Sequence, residues 1–263
     1  MYPILLQWGP LVVPSWHAFY ALGAIAAWFL MRHLARRYEP SLGEGFLARL
    51  YLIAYVGGWF GARLFSVLFE DFSVSGFSQT VVALFTFGSM TFYGGAIGAF
   101  VPGALWVAWK KVSVGRVADV AIPAGVLALA LGRIGCFLNG DDYGVAVSRL
   151  ADGSAPWWSV TIPVLEDGVP RVPVQLISAG LAATLSLFLC LRFKSIRQKM
   201  PPGSVAWIGI GFYASGRFAI EYLRGDPRGS IWGDFFSPAQ IVSLVILGIL
   251  LAISPILAIR RER

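Results

Sequence analysis

Long apolar runs, broken by short clusters of charge, dominate the pattern along this chain. A helix that crosses a bilayer needs about 20 mostly apolar residues, each adding a rise of about 1.5 Å. Seven segments meet that requirement, roughly residues 14–32, 46–69, 89–109, 118–138, 173–193, 203–223 and 236–259. They predict an all-α polytopic membrane protein of seven transmembrane helices, built as a single integral membrane domain over 1–263. Between the fourth and fifth segments, residues 140–172 turn polar, with Pro, Trp, Gly and Asp. That stretch is short for a domain and reads as a small cap on the membrane surface with short strands. The first apolar run lacks a preceding cationic stretch, which predicts a retained helix rather than a cleaved signal.

The charges orient these spans, because basic residues concentrate in cytoplasmic loops. One set of ends holds Arg32, Arg36, Arg37, Arg49, Lys110, Lys111, Arg116, Arg192, Lys194, Arg197, Lys199, Arg260, Arg261 and Arg263. The other set holds Arg149, Arg171, Arg224 and Arg228 among most of the loop acids, including Asp141, Asp142, Asp152, Glu166, Asp167, Asp226 and Asp234. The asymmetry predicts an outside N-terminus and a cytoplasmic C-terminus. Composition agrees: of 263 residues 57% are hydrophobic and 13% charged, far below the charge of a soluble domain. The net charge of +7 is thus a topology signal and not a nucleic-acid footprint. Cys136 and Cys190 lie singly in apolar runs, with neither a disulfide framework nor a metal-binding spacing.

Three arginines break the apolar pattern: Arg63, Arg133 and Arg217 fall inside predicted spans. A central arginine costs about 2.5–3.5 kcal/mol on insertion scales, so each needs a reason. Each lies about six residues from the outer end of its segment, roughly 9 Å along the axis. Snorkelling to the surface or pairing with acids accounts for one such residue. Three at one depth, on three helices, point to a shared polar cavity open toward the outer leaflet. Glu221 is the acid at that depth, four residues after Arg217 and three before Arg224, on one helical face. It neutralises one arginine and leaves net positive charge for a ligand. Arginine suits planar, bidentate recognition of phosphate, so an anionic phospholipid headgroup is the natural occupant. Gly57, Gly58, Gly61, Gly132, Gly135 and Gly216 lie beside these arginines; close helix packing explains most of them, and small residues also leave room for a headgroup.

The run Gly132-Arg133-Ile134-Gly135-Cys136-Phe137-Leu138-Asn139-Gly140-Asp141-Asp142-Tyr143-Gly144 resembles the signature of the prolipoprotein diacylglyceryl transferase family, usually G-R-x-G-N-F-x-N-G-E-x-x-G. Further family landmarks follow in order over nearly the whole chain. They are Gly61-Ala62-Arg63-Leu64, Phe92-Tyr93-Gly94-Gly95, Pro173-Val174-Gln175-Leu176, Gly216-Arg217 through Glu221 to Arg224, and Ser237-Pro238-Ala239-Gln240. The resemblance implies an enzyme of the bacterial inner membrane, with its site toward the outer leaflet. Its partners would be phosphatidylglycerol, membrane lipid and the lipobox segment of exported preprolipoproteins, and it would use no cofactor and no metal. The diacylglyceryl group passes to the lipobox cysteine as a thioether, and glycerol phosphate leaves. Arg133 would bind the lipid phosphate, and Arg217, oriented by Glu221, would stabilise the leaving charge. Arg63, Gly94, Gly95, Asn139, Asp141, Gly144, Gln175, Arg224 and Gln240 would line the cavity, with Arg224 at its rim.

The chain departs from the family at several of these positions. Tyr93 stands where the family often has His, Cys136 where it has Asn, and Asp141 where it has Glu. Ser178 lies near the position of a missing Glu after the Pro173 motif, and Trp16-His17-Ala18 replaces a Trp-Tyr-Gly of the first span. A tyrosine with a pKa near 10 is a weak general base at neutral pH; His17, near the outer end of the first span and counted with the substrate-binding residues, would compensate in part. Two other readings use the same residues: a paralogue that binds or moves lipid without catalysis, and a transferase with a different acceptor.

Overall fold

A computed structural model describes residues 1–9, 11–69, 77–85, 90–227 and 235–259. Arg228, Asp234, Arg260, Arg261, Arg263 and the side chain of Tyr93 lie outside the described set. The chain divides into two compact units, Met1–Leu34 with Ala118–Arg263, and Ala35–Val117.

In the first unit, strands β1 (Ile4–Trp8) and β2 (Leu11–Pro14) form an antiparallel hairpin. The hairpin leads into helix α1 (Ser15–Tyr38), where the Ser15 amide donates to the Pro3 carbonyl at 2.8 Å and its hydroxyl to the Tyr2 carbonyl. These bonds satisfy a helix-start donor and fix the direction of the entering strand. Helices α5 (Val114–Asn139), α6 (Val174–Lys199), α7 (Ser204–Glu221) and α8 (Pro238–Ile259) complete the unit. The Ser186 hydroxyl donates to the Pro123 carbonyl at 2.8 Å, which ties α6 to α5. Helix α8 opens on a capping box: the Ser237 hydroxyl accepts from the Gln240 amide at 3.2 Å, and Gln240 Oε1 accepts from the Ser237 amide at 3.0 Å.

The second unit holds α2 (Glu44–Phe69), the short α3 (Phe77–Phe85) and α4 (Phe92–Trp109). Here α2 and α4 pack backbone to backbone. A Cβ on Gly57 would lie 2.2 Å from the Gly98 carbonyl oxygen, and one on Gly61 would lie 2.4 Å from that of Gly94. Glycine at all four positions lets the two backbones approach with nothing between them, the usual means of tight helix contact in lipid.

Each of the seven predicted segments coincides with a helix. Helices α1 and α6 run about six residues past their apolar segments, into the basic stretches ending at Tyr38 and Lys199. Arg, Lys, Ala and Leu are strong helix formers, and cations in the last turn suit the helix dipole. Four helices, at Ser15–Tyr38, Glu44–Leu68, Val114–Asn139 and Val174–Lys199, are long and apolar enough to cross a membrane, and the fold is that of a multi-pass membrane protein. Helices α4 and α8 contribute shorter apolar stretches, and α7 carries Arg217 and Glu221 within its 18 residues. Short strands form in the segment between α5 and α6, where β3 (Val160–Thr161) pairs with β4 (Pro170–Arg171). The N-terminal hairpin and α3 were not predicted, because apolar pattern alone does not separate a short strand or a nine-residue helix from a neighbouring span.

Candidate active site

The site gathers around the C-terminal end of α5, in the first unit. Arg133 projects from the second-last turn of that helix, and the chain then reverses through Gly140 at φ 89° and Asp142 at φ 58°. The reversal brings the Asp142 carboxylate back onto Arg133, with Arg133 Nη1 donating to Oδ2. The other oxygen, Oδ1, accepts from Arg224 Nη2 at 2.5 Å. One carboxylate therefore bridges two guanidiniums that lie 91 positions apart in sequence.

Backbone pairing beyond the turn sets this geometry. Gly144 forms an antiparallel bridge with Arg224, the Val145 amide donates to the Leu223 carbonyl at 2.9 Å, and the Gly225 amide donates to the Tyr143 carbonyl at 3.0 Å. A Cβ on Gly144 would lie 2.3 Å from the Val172 carbonyl oxygen, so glycine is the residue that lets the three strands of chain meet. From the α6 side, Gln175 Nε2 donates to the Asp141 carbonyl at 2.7 Å, which pins the turn again. Gln175 is 1% exposed, and its Oε1 has no hydrogen-bond partner among the described residues. Asn139 Nδ2 donates to the Asp141 carboxylate.

On α7, Arg217 Nη1 donates to Glu221 Oε2, the i to i+4 pair read from the sequence. Arg224 is not at a rim: its side chain is 4% exposed, because Asp226 holds it from the far side through two bonds of 2.7 Å. Burial pushes the Asp226 carboxyl up, and its bonds to Arg224 only partly offset that. The expectation that Glu221 neutralises one arginine and leaves net positive charge does not hold for the arginines of this unit. Arg133, Arg217 and Arg224 are matched one for one by Asp142, Glu221 and Asp226. Asp142 and Asp226 were counted among outside loop acids, and their folding back onto the helix ends is a tertiary event.

The remaining predicted residues lie on other elements. His17 lies in the first turn of α1 with its ring edge-on to Trp16 at 5.0 Å. Gln240 is buried and engaged in the α8 cap. Arg63, Tyr93, Gly94 and Gly95 belong to the second unit. There Arg63 is buried and its Nε donates to the Ala83 carbonyl of α3 at 2.8 Å. Gly94 and Gly95 face α2, and a Cβ on Gly94 would lie 2.5 Å from Phe65 Cβ. Gly132, in contrast, has open space where a Cβ would point, beside Arg133.

Comparison with known proteins supplies an independent line. Residues 3–254 match the family described as prolipoprotein diacylglyceryl transferase. A phosphatidylglycerol–prolipoprotein diacylglyceryl transferase of Geobacter sulfurreducens is 33% identical over 256 residues, covering 95% of this chain and 94% of that protein. The protein of the same name from Pseudoalteromonas translucida is 34% identical over 253 residues, covering 93% of this chain and 88% of its own length. The match spans both units and every motif around the arginine cluster, and the chain belongs to the prolipoprotein diacylglyceryl transferase family.

Proposed function

We propose that this protein transfers the diacylglyceryl group of phosphatidylglycerol to the lipobox cysteine of exported preprolipoproteins. In this reading the chain sits in a bacterial inner membrane as seven transmembrane helices. Its N-terminus and a cap at 140–172 are periplasmic, its C-terminus is cytoplasmic, and the arginine cluster lies toward the outer leaflet. The weight of basic residues at one set of helix ends supports that orientation.

The observation that carries the reading is the shared carboxylate. Arg133 and Arg224 each take one oxygen of Asp142, so the two guanidiniums are already spaced for an anion that offers two oxygens. A phosphodiester offers such a pair, and arginine binds it through charge-assisted bonds. The buried Gln175 Oε1 adds an acceptor for a ligand hydroxyl, as a glycerol headgroup would supply.

The chemistry follows from that grip. The cysteine sulfur attacks the glyceryl carbon that bears the phosphate oxygen. A carbon–sulfur bond forms, the carbon–oxygen bond breaks, and glycerol phosphate leaves with the bonding electrons. Arg133 binds the phosphate, and Arg217, held by Glu221, stabilises the charge that grows on the departing group. The thiol proton passes to a single acceptor, His17 or the phenolate of Tyr93. Asn139, Asp141, Gly144, Gln175, Arg224 and Gln240 shape the cavity, while Arg63, Gly94 and Gly95 are assigned to the substrate side on the resemblance alone. Expression in cells depleted of their native enzyme tests the reading, with mass spectrometry of a preprolipoprotein. Diacylglyceryl-modified preprolipoprotein supports it; unmodified preprolipoprotein despite membrane expression rules it out.

A further inference from the structure

The charge match in the cluster raises a question about ligand entry. An anionic phosphate gains most from Arg133 and Arg224 when no other anion holds them, yet Asp142 holds both. Arg224 keeps a second, bidentate partner in Asp226, whereas Arg133 has Asp142 as its carboxylate. Asp142 is also the most open member of the group: its side chain is 26% exposed, against 4% for Arg224 and 15% for Asp226.

The backbone around Asp142 is held on both sides, while its side chain is the most exposed of the group. The Gly144–Arg224 bridge holds one side of the turn, and Gln175 holds the Asp141 carbonyl on the other. Asp142 itself sits in the left-handed region at φ 58°, which Asp tolerates better than most residues through its short polar side chain. A rotation about its side-chain bonds would release both guanidiniums without moving the helices.

We propose that Asp142 is a displaceable counter-anion, a specificity-determining residue that fills the Arg133–Arg224 anion site until a phosphate takes its place. The inference rests on the functional reading above and concerns the turn that follows α5 in this chain. Two consequences follow from the geometry. A ligand must bring an anionic pair of oxygens to compete with the carboxylate, so a headgroup without phosphate gains nothing. After transfer, the returning carboxylate competes with the phosphate of the product and promotes its release.

The test uses the full chain in nanodiscs and compares Asp142→Asn with the unaltered protein. Asn keeps the shape and the left-handed backbone but removes the charge; Asp142→Gly is the second variant, which also accepts that backbone. Two probes separate the sources of phosphate: glycerol phosphate in solution, and phosphatidylglycerol in the disc against a glycolipid that carries no phosphate. Both variants should bind glycerol phosphate about tenfold more tightly, equivalent to about 1.4 kcal/mol. They should also lower KM for phosphatidylglycerol, with kcat limited by slower product release. Binding that is unchanged or weaker in both variants would overturn the inference and make Asp142 a strut that positions the arginines. If the unaltered protein neither binds these probes nor transfers lipid, the functional reading fails instead.

Discussion

Helix α5 carries a buried ion cluster near each end, and the two differ in kind. Toward its start, Asp119 is 0% exposed and fully engaged. Its Oδ2 accepts from the Gly203 amide at 2.8 Å, its Oδ1 from the Ala206 amide at 3.0 Å, and Arg197 lies 3.3 Å away. Asp119 thus caps the N-terminus of α7 from a neighbouring helix, satisfying donors the helix cannot satisfy itself. About 21 Å along the same helix, at Arg133, Asp142 from the turn that follows makes a different arrangement: partly exposed, bridging two cations, one of which has another carboxylate in reserve. The first cluster is saturated by backbone groups that cannot leave. The second is made of side chains that can exchange partners, and exchange is what binding an anion requires.

That contrast predicts opposite outcomes for mutations at the two ends. Asp119→Ala should cost the most stability, about 3–5 kcal/mol, because it leaves Arg197 and two amides uncompensated. Turnover per folded molecule should hold, and thermal unfolding in detergent beside an activity assay checks both. Arg133→Ala or Arg217→Ala should reverse the balance, lowering turnover by about 10²–10³-fold as for loss of an oxyanion donor. Their unfolding midpoints should move far less than that of Asp119→Ala. A rate unaffected by either change would remove that arginine from the mechanism.

Gly144→Ala probes the junction that builds the second cluster. Its added Cβ meets the Val172 carbonyl oxygen at 2.3 Å, and overpacking of this kind costs about 1–3 kcal/mol. Since Asp142 and Arg224 flank the junction, activity should fall by more than the stability loss explains. The smallest effect is expected in the segment between α5 and α6. The amide of Val169, and then Arg171, hold the Asp167 carboxyl below its ordinary value. A depressed carboxyl stabilises the fold above its unfolded pKa and loses that contribution as pH falls through its folded pKa. Asp167→Asn should therefore lower the unfolding midpoint slightly at pH 7, and the difference should vanish in acid below the ordinary carboxylate range. Unfolding curves of the two proteins across that range measure it.

The helices were legible in the sequence because each apolar run is long enough to need burial or lipid along its whole length. The site was legible only in part. Arg133, Arg217 and Glu221 announce themselves as charges inside apolar runs, and the i to i+4 spacing of the last two dictates their pairing. Asp142 and Asp226 carry no such signal, since each is one loop acid among several. Their roles arise from pairing of residues 143–145 with 223–225, about 80 positions away, which local pattern does not encode. Gln240 had a readable signal that the cavity assignment overlooked: Ser237-Pro238-Ala239-Gln240 has the spacing of a capping box. Asp119 carries no local signal of its role, because the helix it caps begins 85 residues later.

The central claim is that the Arg133–Arg224 end of α5 holds a lipid phosphate for transfer of the glyceryl group to sulfur. The most direct measurement incubates the purified full chain with phosphatidylglycerol and a synthetic lipobox peptide, followed by mass spectrometry of peptide and released headgroup. The account predicts a peptide heavier by one diacylglyceryl group on its cysteine and an equal yield of glycerol phosphate. A peptide of unchanged mass, from protein that is folded and supplied with the lipid, would contradict it.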